Sequence, residues 1–255
     1  MWPLFKTSGA YALPRQPISQ RYRQASLKTT TQPFGLRIKR ALGLALTGFI
    51  GSSIMLVGLL AFLPAPSSAF MLHRHVEDLL QGHGYRTIDQ RWVNRQQISK
   101  QAFKAVIASE DQLFYQHNGF DIKAISKAYH RYETGSSLRG ASTISQQVAK
   151  NLFLVPAKNL LRKTLEIWFT VLLEILWSKE RILEMYLNIA EFGDHIFGIE
   201  AASQHYFGIS AQQLSADQAA LLAATLPNPI RFKANQPTSY IYKRQDWILQ
   251  QMRHF

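Results

Sequence analysis

The 255-residue chain contains no cysteine. That excludes a disulfide framework, a cysteine-based zinc site and a thiol nucleophile. Acidic residues are scarce: 16 Asp+Glu stand against 29 Lys+Arg, for a formal net charge of +13. The first 40 residues hold no acid at all, yet carry eight basic residues (Lys6, Arg15, Arg21, Arg23, Lys28, Arg37, Lys39, Arg40). This stretch supplies +8 and leaves +5 for the other 215 residues. A basic excess points to an anionic partner: nucleic acid, anionic lipid or a phosphorylated substrate. Strand-like alternation is nearly missing too, with Tyr85 to Val93 as the one candidate. Apolar content is not missing; 47% hydrophobic residues exclude wholesale disorder.

Ala41 to Leu63 is an uncharged apolar run of 23 residues. As a helix it reaches roughly 35 Å, enough for a hydrocarbon core of about 30 Å. It is too long, and starts too late, for a cleavable signal peptide. The basic flank precedes it, so the positive-inside rule puts residues 1–40 in the cytoplasm as a disordered tail near anionic headgroups. The expected order is tail 1–40, a single transmembrane helix 41–63, a linker and entry segment 64–97, and a folded domain 98–255.

The exported part, about 190 residues, reads as all-α. Helices are expected over 98–109, 122–132, 142–154, 160–177, 178–191, 215–226 and 238–252. Ser215 with Gln218 has capping-box spacing, and Pro227 stops that helix.

Four segments carry chemistry. ASEDQLFYQHNGFD (108–121) places Glu110 at the end of an apolar helix with aromatic neighbours. Desolvation there raises a carboxyl pKa, as a general acid or base near neutral pH requires; a solvated helix terminus is the competing reading. His117 and Asp121 are two ligand types, which do not make a metal site. RGASTISQQVAKNLFL (139–154) opens a helix with Ser142 as its expected N-cap. Thr143, Gln146, Gln147, Lys150 and Asn151 project from it, a set suited to phosphate or sugar binding or simply to a solvated face. AKNLLRKTLE (157–166) sets Lys158, Arg162 and Glu166 on one face, with Lys163 alongside. Glu166 opens an apolar stretch, where an unpaired carboxylate is costly. SKERILEMYLNIAEFG (178–193) reads as structural, with Tyr186 and Asn188 holding neighbouring elements.

Taken together, EDQLFYQHNGFD, GASTISQQVAKN, RKTLE and KERILEMYLNIAEFG, in this order, resemble glycosyltransferase family 51, the peptidoglycan polymerases. LPNPIRFKANQP (226–237) extends the likeness to nearly the whole exported part. With no transpeptidase segment after the last motif, a monofunctional transglycosylase is expected. The resemblance implies a mainly helical, lysozyme-like glycosyltransferase domain lying against the membrane. It implies lipid II and the growing lipid-linked glycan as substrates, joined into β-1,4-linked strands with release of undecaprenyl pyrophosphate. It makes Glu110 the base and Glu166 the second, positioning glutamate. Lys150, Lys158, Arg162 and Lys163 would stabilise the pyrophosphate, and Ser142, Thr143, Gln146, Gln147 and Asn151 would line the donor cleft. A divalent cation such as Mg²⁺, with unknown protein ligands, is expected on the pyrophosphate.

The resemblance further implies an inner-membrane enzyme with its catalytic domain in the periplasm. Membrane lipids and cell-wall synthesis or division proteins are the expected partners, and nucleic acid is not. Phe114, Phe120, Ile122, Ile125 and Tyr129 form either an apolar surface for the interface or core packing. Two competing readings stay open at this point: a hydrolase on the same fold, and a non-catalytic scaffold.

Overall fold

The computed structural model describes residues 34–133, 142–157 and 159–255. Lys158, Arg139 to Ala141 and the tail up to residue 33 lie outside them. The chain divides into two compact units, Met1–Phe49 and Ile50–Phe255.

In the first unit the described residues are helical, being the start of α1 (Phe34–Leu60). Gly35–Leu60 is, among the described residues, the one helix long and apolar enough to cross a membrane. It begins several residues before the expected Ala41, because Arg37, Lys39 and Arg40 are good helix formers and extend it outward. It ends before Pro64, whose predecessor cannot stay helical.

The second unit is mainly α. Its further helices are α2 (Ala69–Leu80), α3 (Lys100–Glu110), α4 (Ile122–Glu133), α5 (Ile144–Phe153), α6 (Leu160–Leu176), α7 (Lys179–Ile189), α8 (Ile199–Phe207), α9 (Ala216–Thr225) and α10 (Ser239–Met252). At its centre is α7, buried at every position from Ile182 to Ala190 except Glu184. A helix enclosed in this way has to satisfy its polar side chains within the protein. Its buried amide, Asn188, is satisfied: Nδ2 donates to the Val93 and Glu184 carbonyls, and Oδ1 accepts from the Val93 N–H. α5 packs against α6 and α7, while α3, α9 and α10 form a second group.

Residues 64–97, expected as linker and entry segment, carry real structure. Ser68 caps α2 by accepting the Met71 N–H at 3.2 Å, and Met71 joins the core. Of the candidate strand Tyr85–Val93, only β1 (Asp89–Gln90) forms; it pairs in parallel with β3 (Ile196–Phe197), which pairs antiparallel with β2 (Glu191–Gly193). The glycine at the end of this hairpin, Gly198, has φ +84°, and a Cβ there would sit 2.7 Å from the Asn188 carbonyl oxygen. Of the five candidate interfacial residues, Phe114 is core, fully buried beneath Lys179, while Ile122, Ile125 and Tyr129 stand exposed on α4.

Candidate active site

Two helix termini meet at the site. α3 ends on Glu110 and Asp111, and α5 begins just after Thr143. Asp111 joins them: its carboxylate accepts the Ile144 N–H at 3.0 Å and pairs with His117 Nε2 at 2.9 Å. His117 is thereby engaged with Asp111, and Asp121 accepts the Ala124 N–H at the start of α4. Gly119 lets the loop between α3 and α4 lie on α6; its φ is +84° and a Cβ would meet Thr170 Cγ2 at 2.8 Å.

The N-cap of α5 is Thr143, not the expected Ser142. A capping box needs Glu or Gln three residues on; Thr143 has Gln146 there, whereas Ser142 has Ser145. Thr143 Oγ1 accepts the Gln146 N–H and donates to the Gly119 carbonyl, and Gln146 Oε1 accepts the Thr143 N–H. Both side chains are buried and occupied in holding the helix start. Ser142 stays exposed at the mouth of a cavity beside Glu110.

One turn into α5, Gln147 Nε2 donates to Glu110 Oε2 at 2.9 Å. Its own carbonyl accepts the Tyr186 hydroxyl at 3.2 Å. From α10, Arg244 Nη2 lies 3.4 Å from Glu110 Oε1. Burial pushes the Glu110 carboxyl above the usual range, and Gln147, Arg244 and Lys150 pull it part of the way back. Lys150 lies 5.4 Å from the centre of the Phe70 ring on α2. Burial lowers its pKa; Glu166 and Glu110 oppose that shift, while Arg162 and Lys163 reinforce it.

Glu166 is 3% exposed and pairs with Arg162 Nη1 at 2.5 Å and with Lys163 Nζ. Among the described residues, Arg162 Nε and Asn151 Oδ1 are buried without a hydrogen-bond partner. Such groups cost roughly 1–3 kcal/mol unless a ligand or water meets them. Thus Glu110, Gln147, Lys150, Arg162, Lys163 and Glu166 form one connected set of polar groups through Lys150, while Thr143 and Gln146 hold the start of α5.

Arg244, Phe70 and the hydroxyl of Tyr186 were not foreseen as parts of this site. Arg244 reaches Glu110 across 134 positions of sequence, and no local pattern marks such a contact. The site's carboxylates do not fit a resident divalent ion. Glu110 is held by an amide and a guanidinium, Glu166 by two cations, and no group of three His, Cys, Asp or Glu side chains occurs among the described residues.

The family model described as Transglycosylase matches residues 77–253. The chain belongs to the transglycosylase family. Its match runs from α2 to the end of α10, so it includes both glutamates and Arg244. The lysozyme-like helical fold expected of this family is the fold of the second unit. The biosynthetic peptidoglycan transglycosylase of Chromohalobacter salexigens is 53% identical over 214 residues, covering 84% of this chain and 91% of that protein. That of Pasteurella multocida is 52% identical over 221 residues, covering 87% and 88%. That of Haemophilus influenzae is 54% identical over 192 residues, covering 75% and 78%.

Proposed function

We propose that this transglycosylase polymerises lipid II into β-1,4-linked glycan for cell-wall synthesis, with Glu110 as the base. The observation that carries the assignment is the placement of Glu110: a buried carboxylate of raised proton affinity beside the Lys150, Arg162 and Lys163 cations. A more basic carboxylate accepts a proton more readily in the transition state. The acceptor 4-hydroxyl oxygen attacks the anomeric carbon of the donor. Its proton passes to Glu110, the carbon–oxygen bond to pyrophosphate breaks, and that electron pair leaves with the pyrophosphate. Attack opposite the leaving group converts the α linkage into β. The cations stabilise charge as it develops on the pyrophosphate, a task that needs no acid. Asn151 Oδ1 and Arg162 Nε, buried without a hydrogen-bond partner among the described residues, are two further polar groups of this region.

The Mg²⁺ expected in such chemistry is proposed to arrive on the pyrophosphate as part of the substrate. No step above runs through it.

The proposed location is the bacterial inner membrane, with α1 as a single span, the tail cytoplasmic and the second unit periplasmic. Support comes from α6, whose exposed residues Leu160, Leu161, Thr164, Ile167, Val171, Ile175 and Leu176 are uncharged, with the half-exposed Lys163 side chain at their edge. Trp168 Nε1 donates to Ser53 Oγ and Trp177 Nε1 to the Val57 carbonyl, so α6 lies along the second half of α1. Membrane lipids would then cover these residues, and the site stays near a substrate with a polyprenyl tail.

The test is polymerisation of labelled lipid II by the full chain in detergent with Mg²⁺, beside Glu110→Gln. Glycan from the native chain alone supports both reaction and base. Finished glycan cut while lipid II persists would overturn the reading in favour of a hydrolase.

A further inference from the structure

The cations of the site differ in what they touch. Arg162 and Lys163 pair with Glu166, and Arg244 lies against Glu110. Lys150 Nζ makes no hydrogen bond and no ion pair among the described residues; what it meets is the face of the Phe70 ring, 5.4 Å away at the ring centre. Burial disfavours its charge, Arg162 and Lys163 add to that, and Glu166 and Glu110 oppose it from beyond contact distance. Those charges come from α3 and α6; from α2 comes an aromatic face.

The ring is held in place by its helix. Phe70 stands in the first turn of α2, where Ser68 caps the helix start on the Met71 N–H and Met71 is buried in the core. One turn on, Arg74 donates to both oxygens of Glu191, each at 2.9 Å. α2 packs against α5, the helix of Lys150. Phe70 itself is only partly buried. The negative face of such a ring attracts a cation within about 6 Å of its centre. A carboxylate in its place would neutralise the lysine and compete with an incoming anion. A ring face holds the ammonium without doing either.

We propose that Phe70 is a positioning residue of the transfer reaction: its ring face holds the Lys150 ammonium in the cleft and leaves that charge to the pyrophosphate. The inference rests on the peptidoglycan reading above, which gives Lys150 the pyrophosphate. It extends the working site to α2, the helix that follows α1 in the chain.

The experiment compares the full chain in detergent with Phe70→Leu, which keeps an apolar side chain, and Phe70→Tyr, which keeps the ring face. Farnesyl pyrophosphate is the probe in titration calorimetry, and lipid II polymerisation is followed beside it. Phe70→Leu is expected to bind the probe about 2- to 10-fold more weakly than the native chain, the worth of one cation–π contact, with Phe70→Tyr restoring most of it. The same loss is expected in kcat/KM for lipid II. A double-mutant cycle separates this role from packing: in a Lys150→Gln background, Phe70→Leu should cost little further, because no ammonium is left for the ring to hold. The proposal is overturned if the native chain does not bind farnesyl pyrophosphate, if Phe70→Leu binds it as the native chain does, or if Phe70→Tyr is no better than Phe70→Leu. A loss that persists in full without the lysine overturns it too, since the ring would then act through packing alone. A native chain that binds the probe in this pattern yet leaves lipid II untouched topples the polymerase reading and spares the role of Phe70.

Discussion

Glu110 and Glu166 are the same residue type in the same cleft, and their surroundings make them different reagents. Glu166 lies at the end of the second turn of α6 with Arg162 and Lys163 one turn behind it, so its carboxylate is met by two cations in direct contact. Glu110 ends α3 and is met by a neutral amide and by one guanidinium at 3.4 Å. Burial is therefore only partly offset at Glu110, and its proton affinity rises. One carboxylate is neutralised by its own helix; the other, the proposed base, is left with a raised proton affinity. The comparison shows how a helix register places i,i+3 and i,i+4 partners around a charge, whereas a helix end must borrow partners from elsewhere in the chain.

The largest effect expected from breaking this contrast is on catalysis. Glu110→Gln keeps the size of the side chain but turns one of its two accepting oxygens into an N–H donor, and it cannot accept the proton. Polymerisation of lipid II should fall by about 10²–10⁴-fold, as a general base is worth, in single-turnover assays. Retention of most of the rate would remove Glu110 from the role of base.

Stability should move in opposite directions at the two sites. For Glu110 the folded pKa is raised. Its contribution is complete below the unfolded value of about 4.3 and is lost as pH rises through the folded value. Glu110→Gln removes that loss, so its Tm should exceed the native Tm at pH 7 and match it near pH 4. Glu166→Gln instead leaves Arg162 and Lys163 without a counter-charge beside Lys150. Because Lys163 is 42% exposed on its side chain, the cost is well below that of a fully buried pair, about 1–3 kcal/mol. Thermal scans of both variants at both pH values decide it. Equal shifts would mean that the two environments do not differ as described.

The pH profile sharpens the same contrast. Arg244 pulls the Glu110 carboxyl down, so Arg244→Gln should move the acid limb of kcat/KM to higher pH, by about one unit or less at this distance. An unmoved limb would show that the guanidinium does not act on Glu110.

How far the sequence discloses this arrangement depends on the range over which each interaction acts. Helices α3 to α7, α9 and α10 announce themselves, because apolar spacing and caps are local signals. So are Arg162, Lys163 and Glu166, one turn apart on a single helix. β2 and β3 run for three and two residues, too short to show alternation, and α8 starts and ends on glycines in place of a side-chain cap. The start of α5 was legible in principle, since Gln146 selects Thr143 over Ser142 as its cap. Arg244 and Phe70 were not legible, because each reaches the site across the tertiary fold. Glu110 stood out by its segment, but its partners came only with the packing of α5, α7 and α10.

The smallest effect concerns Tyr186, which does not touch Glu110. It is fully buried, and burial together with the charge of Glu110 holds its hydroxyl far above the usual pKa, so it remains a donor. It donates to Gln147 Oε1 and thereby fixes which end of that amide faces Glu110. Flipped, the amide would set its carbonyl against the carboxylate. Tyr186→Phe preserves the ring and its packing, and removes one hydrogen bond worth about 1 kcal/mol, so kcat should fall about 2- to 10-fold with KM unchanged. If Tyr186 acts through Gln147, the double variant Tyr186→Phe/Gln147→Ala should be no slower than Gln147→Ala alone. Additive losses in that cycle would give Tyr186 a contribution of its own and separate it from the hold on Glu110.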